Sequence, residues 1–191
     1  MKKLFSAVAV LLFGAFCATA DDAADVKRTF IRLAQYQKSA NFDAMVLLYS
    51  KDYIGTNDNG DVMTYSKVKA VVQMLKARDA RTFVTIFMMA TENRKPTADE
   101  LQQAEAAFSP AQLTQFKQLM VNAARKEGDL FLKTAKFIDI KVFEGKTARV
   151  VLEYTKLDPE DDTMQKTKQV KEIATLRKEN GTWKILADTE F

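Results

Sequence analysis

The spacing of apolar and polar positions changes character part-way along the chain. Over residues 22–40, DAADVKRTFIRLAQYQKSA, Val26, Phe30, Leu33 and Gln37 recur at helical spacing, with charges on the far side. Three of these four are apolar, which predicts an amphipathic helix. Asn41 then suits the cap of a short second helix over 42–50, with Met45, Leu48 and Tyr49 inward. Asn59-Gly60 fits a two-residue hairpin loop, because both residues tolerate positive φ. A third helix is expected from 64–66, burying Val68, Val71, Val72 and Leu75. The run RTFVTIFMMAT, 81–91, is apolar without alternation and suits a buried strand or a buried helix; its helical surroundings favour helix. Thr97 with Glu100 makes a capping box, Ser109-Pro110 restarts a helix with Pro at its first position, and Gly128 is expected to end it. The stripe Leu113, Phe116, Met120 and Ala123 reads as packing, with a lid as the alternative.

From Phe137 the period becomes two. Ile138, Ile140 and Val142 alternate with Asp139, Lys141 and Phe143, and Ala148, Val150, Leu152 and Tyr154 alternate with Arg149, Val151 and Glu153. A three-residue loop Phe143-Glu144-Gly145 puts both apolar sets on one face and sets Asp139 opposite Arg149. At the end, EIATLRKENGTWKILADTEF reads as a hairpin about Asn180-Gly181. Leu176 then faces Ile185, Ala174 faces Ala187 and Lys178 faces Trp183, while Arg177 and Lys184 share the outer side. Trp183 beside Lys178 is read as capping the core edge.

The start of the chain has a different logic. Lys2 and Lys3, an apolar stretch to Phe16 and the Ala18-Thr19-Ala20 site predict a signal peptide, residues 1–20, cleaved after Ala20. Cys17, the only cysteine, falls inside that segment, and Phe16 before it disfavours lipidation. The mature chain, 21–191, is sized for one domain, periplasmic or secreted, and needs no disulfide. The 29 basic and 25 acidic residues are interspersed, so no nucleic-acid surface is expected. No later apolar run is long enough for a membrane span, so no membrane association is expected after cleavage.

Helices at the N-terminus, the turn at 58–65 into a third helix, and long alternating strands at 148–154 and 176–186 together resemble the nuclear-transport-factor-2-like superfamily, with its cystatin-like cone. The resemblance implies an α+β fold, a curved antiparallel sheet wrapped over N-terminal helices around an apolar pocket, with a helical insertion at about 80–135. The superfamily includes ketosteroid isomerase, dehydratases and transport adaptors, so the resemblance implies no activity.

Absence of histidine excludes Ser-His-Asp and Cys-His nucleophiles and a histidine base. It also removes imidazole metal sites, and the loss of Cys17 removes thiolate ones. Carboxylate and phenol chemistry remains. Extending the inward phases brings Glu172 and Val170 towards Leu152 and Tyr154 on the concave side. A pocket carboxylate with raised pKa can act as a base while a phenol donates to a developing oxyanion; the alternative has Glu172 solvated or paired with Lys166, Lys168 or Lys171. NDNGD, 57–61, has Gly55 where an EF-hand needs an earlier carboxylate and reads as a turn. DPEDD, 158–162, reads as a solvated acidic loop. Met88, Met89 and Met120 read as core filling, an adaptable ligand site being the alternative. No cofactor and no metal are expected. The resulting expectation is a non-catalytic binding module, holding a small apolar ligand in the cone or a partner on the sheet. Val151, Phe143 and Leu186 on the outer face would support a homodimer. The alternatives are a cofactor-free isomerase or lyase using Glu172 and Tyr154, and a structural interaction protein with a filled cone.

Overall fold

Helix α1 (Lys2–Ser39) carries the first apolar stripe, and in the computed structural model it buries Val26 and Phe30 in the main core. The structure describes residues 2–57, 59–158, 161 and 165–191, with side chains from residue 21 onward. Helix α2 (Phe42–Val46) is capped by the Asn41 side chain, as expected, but stops short of residue 50. The backbone N–H of Ile185 donates to the carbonyl of Leu48, 2.9 Å, and from Tyr49 the chain is strand β1 (Tyr49–Thr56). Tertiary pairing overrides the local pattern here.

Strand β1 turns into β2 (Val62–Thr64) through residues 57–61, five rather than two. The Asn57 side chain closes this loop by accepting from the N–H groups of Asn59 and Asp61, and Gly60 supplies φ +82. Helix α3 (Tyr65–Lys76) starts at a Thr64 cap and buries Val68 and Val72. The ambiguous run is helix α4 (Ala80–Thr91), capped by Asp79. Helices α5 (Ala98–Ala107) and α6 (Pro110–Thr134) each begin with a complete capping box. Gly128 does not end α6. A Cβ there would lie 2.4 Å from the Ala34 carbonyl oxygen and 2.7 Å from the Lys38 nitrogen, so the glycine lets α6 cross α1 closely.

The remaining strands are β3 (Lys136–Phe143), β4 (Thr147–Leu157), β5 (Thr167–Glu179) and β6 (Thr182–Glu190). They complete a six-stranded, unclosed, curved sheet in the order β2-β1-β6-β5-β4-β3. Pairing is antiparallel except between β1 and β6, which run parallel. Ala148, Val150 and Leu152, with Ala174, Leu176, Trp183 and Ile185, form the sheet's side of the core. Trp183 is buried within this core rather than at its edge, and Lys178 lies over its ring while bonding Asp22 of α1 at 2.7 Å.

Two registers differ from the expected ones. The β3–β4 loop is one residue later, 144–146, so Arg149 faces Lys141 and not Asp139. Ile138 is an extra residue between Phe137 and Asp139; it is 54% exposed, and Phe137 turns inward against Phe30 instead. The last hairpin follows the expected pairing as far as Leu176 with Ile185, then Leu186 bulges and Ala174 meets Asp188 rather than Ala187. On the outer face Phe143 is exposed, while Val151 and Leu186 are half-buried. Of the acidic loop 158–162, residues 159, 160 and 162 lie outside the described residues. Among the described residues no helix is long and apolar enough to cross a membrane.

Candidate active and ligand-binding site

The concave side of the sheet, roofed by α1 and α6, encloses a cavity of about 370 Å³. Phe30, Leu33, Phe131 and Ile185 give it an apolar wall, and Tyr154 and Glu172 both line it. The inward phases of β4 and β5 therefore do converge: the Tyr154 hydroxyl lies 2.9 Å from Glu172 Oε2. Leu152 and Val170 are fully packed core next to the cavity and not among its lining residues. None of Lys166, Lys168 and Lys171 lines the cavity, and the hydrogen-bond partner of Glu172 is the phenol. Met88 is buried in α4 and Met89 is exposed; neither, nor Met120, reaches the cavity.

The bulge at Leu186 brings in groups that alternation alone places elsewhere. It turns Asp188 and Glu190 to the concave side, with Glu190 opposite Glu172. In LADTEF the two acids do share one face, but no residue type marks which face the bulge selects. Tyr154 also lies 3.0 Å from Glu190 Oε1, and Lys156 pairs with Glu190 Oε2. One phenolic proton cannot serve both carboxylates at once, so the cluster is completed by a proton on one of them. Glu172 is the acid that holds it: burial, then the nearby Asp188 charge, pushes its carboxyl up to about 8. Burial likewise raises Asp188 to about 6, against the opposing effect of the Tyr53 hydroxyl, which lies 3.0 Å from both its oxygens.

Local packing fixes these side chains. Phe131 of α6 sits 4.9 Å from the Tyr154 ring, and Glu127 of α6 accepts from the Leu157 N–H at 2.8 Å. Burial raises the Glu127 carboxyl too. Tyr49 packs edge-on against Tyr53 at 4.6 Å. Gly55 is required by the Tyr53–Asp188 contact: a Cβ there would fall 2.2 Å from the Tyr53 hydroxyl and 2.3 Å from Asp188 Oδ1. The phenols of Tyr49, Tyr53 and Tyr154 are all held above the usual tyrosine range, chiefly by burial, so they are neutral donors.

A curved sheet over helices with a cavity at its concave face is the cone expected from the resemblance. The fold is nuclear-transport-factor-2-like. Solved structures similar to this chain include a ketosteroid isomerase-like protein from Erwinia carotovora atroseptica, 10% identical, covering 88% of this chain and 94% of its own, with a TM-score of 0.43. A nuclear-transport-factor-2-like protein with a cystatin-like fold from Novosphingobium aromaticivorans is 10% identical over 100% of this chain and 88% of its own, TM-score 0.44. Another, of unknown function in nutrient uptake, from Rhodospirillum rubrum, is 12% identical over 87% and 96%, TM-score 0.44. No protein-family model matches the sequence, and no curated protein matches it. At these identities the likeness concerns the fold and assigns no ligand or residue role.

Proposed function

We propose that this protein is a binding module that holds a small molecule in the cone, its apolar body against Phe30, Leu33 and Phe131 and its polar end at Tyr154 and Glu172. The observation that carries the proposal is the cavity of about 370 Å³ with that hydrogen-bonded pair on its wall, because pockets of this size with few convergent polar groups are the usual form of small-molecule sites. Secretion after cleavage at Ala20, and pairing of two copies through the outer sheet face around Phe143, belong to the same proposal. Native mass spectrometry of protein purified from its own cells tests it. A retained small molecule is expected; a bare mass, under conditions that preserve a known ligand complex, counts against it.

A second reading, a cofactor-free isomerase or lyase, is favoured by Glu172 being held at about 8. A carboxyl poised near neutrality suits proton transfer, and Tyr154 stands beside it as a donor. The test is exchange of carbon-bound hydrogen for deuterium in whatever molecule copurifies, lost in Glu172→Gln. No exchange in the unaltered protein leaves the binding module alone.

A further inference from the structure

The cavity wall is charged one-sidedly. Its acids are Asp61, Glu127, Glu172, Asp188 and Glu190, and Lys156 is its only base among the described residues. Lys156 is already paired with Glu190. Glu172 is 8% exposed, yet only its Oε2 has a hydrogen-bond partner; no described residue donates to Oε1. The deep acids Glu172 and Asp188 are therefore hydrogen-bonded by phenols, and neither forms an ion pair with a described residue.

From this, and resting on the binding reading above, we propose that the ligand is an organic cation: an ammonium group on an apolar or aromatic body, seated with its charge between Glu172 and Asp188. An ammonium carries donors for the open Oε1 and for Asp188, and the negative faces of aromatic rings attract cations. Tyr49 and Tyr53 bring such rings to the same wall. A carboxylate or phosphate ligand would instead add its charge to five acids that face a single lysine, itself paired with Glu190. Among the described residues no group of three acids is arranged to hold a metal ion.

The titration behaviour follows from the groups around Glu172. Tyr154 and Lys156 face it from β4, Asp188 and Glu190 from β6, and Tyr49 and Tyr53 from β1, with Glu127 of α6 beyond Lys156. With its carboxyl held at about 8, Glu172 is mostly protonated at pH 7. An entering cation favours the ionised form, so binding expels a proton and tightens as the pH rises towards 8.

Calorimetric titration of the mature protein with 2-phenylethylammonium, 2-phenylethanol and phenylacetate at pH 7, in two buffers of different ionisation enthalpy, tests the proposal. The ammonium is expected to bind at least tenfold more tightly than the alcohol and to release a proton, with phenylacetate weakest. In Glu172→Gln the preference for ammonium over alcohol should fall by a factor of ten, and Asp188→Asn gives the same readout where that variant does not fold. Equal or tighter binding of the alcohol or the acid overturns the cation and leaves the binding module standing. If none of the three compounds binds, nor any of their phenylbutyl homologues, both proposals fall. The comparison on unaltered protein decides the matter independently of either variant.

Discussion

The molecule has two cores of unequal kind. The first joins α1 to the concave sheet, from Val26 and Phe30 across to Leu152, Leu176 and Ile185, all at 2% exposure or below. The second is a small cluster, Met74, Ala77, Phe83 and Leu113, holding α3 and α4 to the start of α6. Around it Phe87, Met89, Phe116 and Leu119 remain exposed. Sheet residues are wedged between neighbours on both sides and under a helix, whereas α5 rests largely on α4. The cavity belongs to the first core, and the second contributes no residue to its wall. Stability and site geometry are thus expected to be separable from helices α4 and α5.

The strongest test compares one leucine from each core. Leu176→Ala, at a site with 0% exposure, is expected to cost about 3–5 kcal/mol, since the rigid sheet cannot collapse into the cavity left behind. Leu113→Ala should cost about 2–3 kcal/mol, because the smaller cluster can relax more fully. Urea denaturation measures both. Equal losses with identical ligand affinities would mean the two cores are one.

The next largest effect is in pH. A carboxyl raised from 4.5 to about 8 binds more protons folded than unfolded. Its contribution is therefore intact below about pH 4.5 and is lost as pH rises through 8. Asp188, raised to about 6, adds a loss between about pH 4 and 6. Glu172 alone should lower stability by about 3–4 kcal/mol between pH 5 and 8. Glu172→Gln keeps the neutral form, so it should match the parent at pH 5 and exceed it at pH 8. A melting profile with the same pH slope in parent and variant removes Glu172 as the cause.

The sequence shows the first core more fully than the second and the site only halfway. Strict alternation in 148–154 and about Asn180-Gly181 fixes which face is buried, and that brings Tyr154 and Glu172 together correctly. What alternation does not show is the insertion of a residue. Ile138 and Leu186 each shift the phase of everything beyond them, which is why Phe137, Asp188 and Glu190 take unexpected faces. Strand β1 was hidden because its partner is β6, more than a hundred residues away, and Tyr49-Ser50-Lys51-Asp52 has no clean period of its own. Gly128 illustrates the opposite error. A glycine after a helical stripe usually signals a stop, but here its missing side chain admits a neighbouring helix backbone.

That glycine also probes the join, since α6 runs from the second core at Leu113 to the cavity wall at Glu127 and Phe131. Gly128→Ala is expected to destabilise by about 2 kcal/mol, overpacking against the α1 backbone outweighing the gain in helix propensity. Ligand affinity should drop with it, because Phe131 lies one turn away and supports Tyr154. A gain in stability would show that α1 and α6 can move apart freely.

The smallest effect draws the sharpest line between the regions. The Thr97 side chain accepts from the Glu100 N–H at 3.3 Å, while the Glu100 carboxylate accepts from the Thr97 N–H at 2.7 Å and from Arg94 at 2.6 Å. Thr97→Ala removes one half of this box and should cost about 1 kcal/mol. Helix α5 carries only Ala104 as a buried residue, so little packing compensates for the lost cap. Where the loss is felt depends on how the two cores are coupled. If they open separately, amide exchange quickens in α5 and α4 while β4 and β5 keep the protection of the intact protein. If exchange in Leu152 and Leu176 quickens by the same factor, α4 and α5 unfold only with the cone, and these helices must be counted as part of the wall that shapes the cavity.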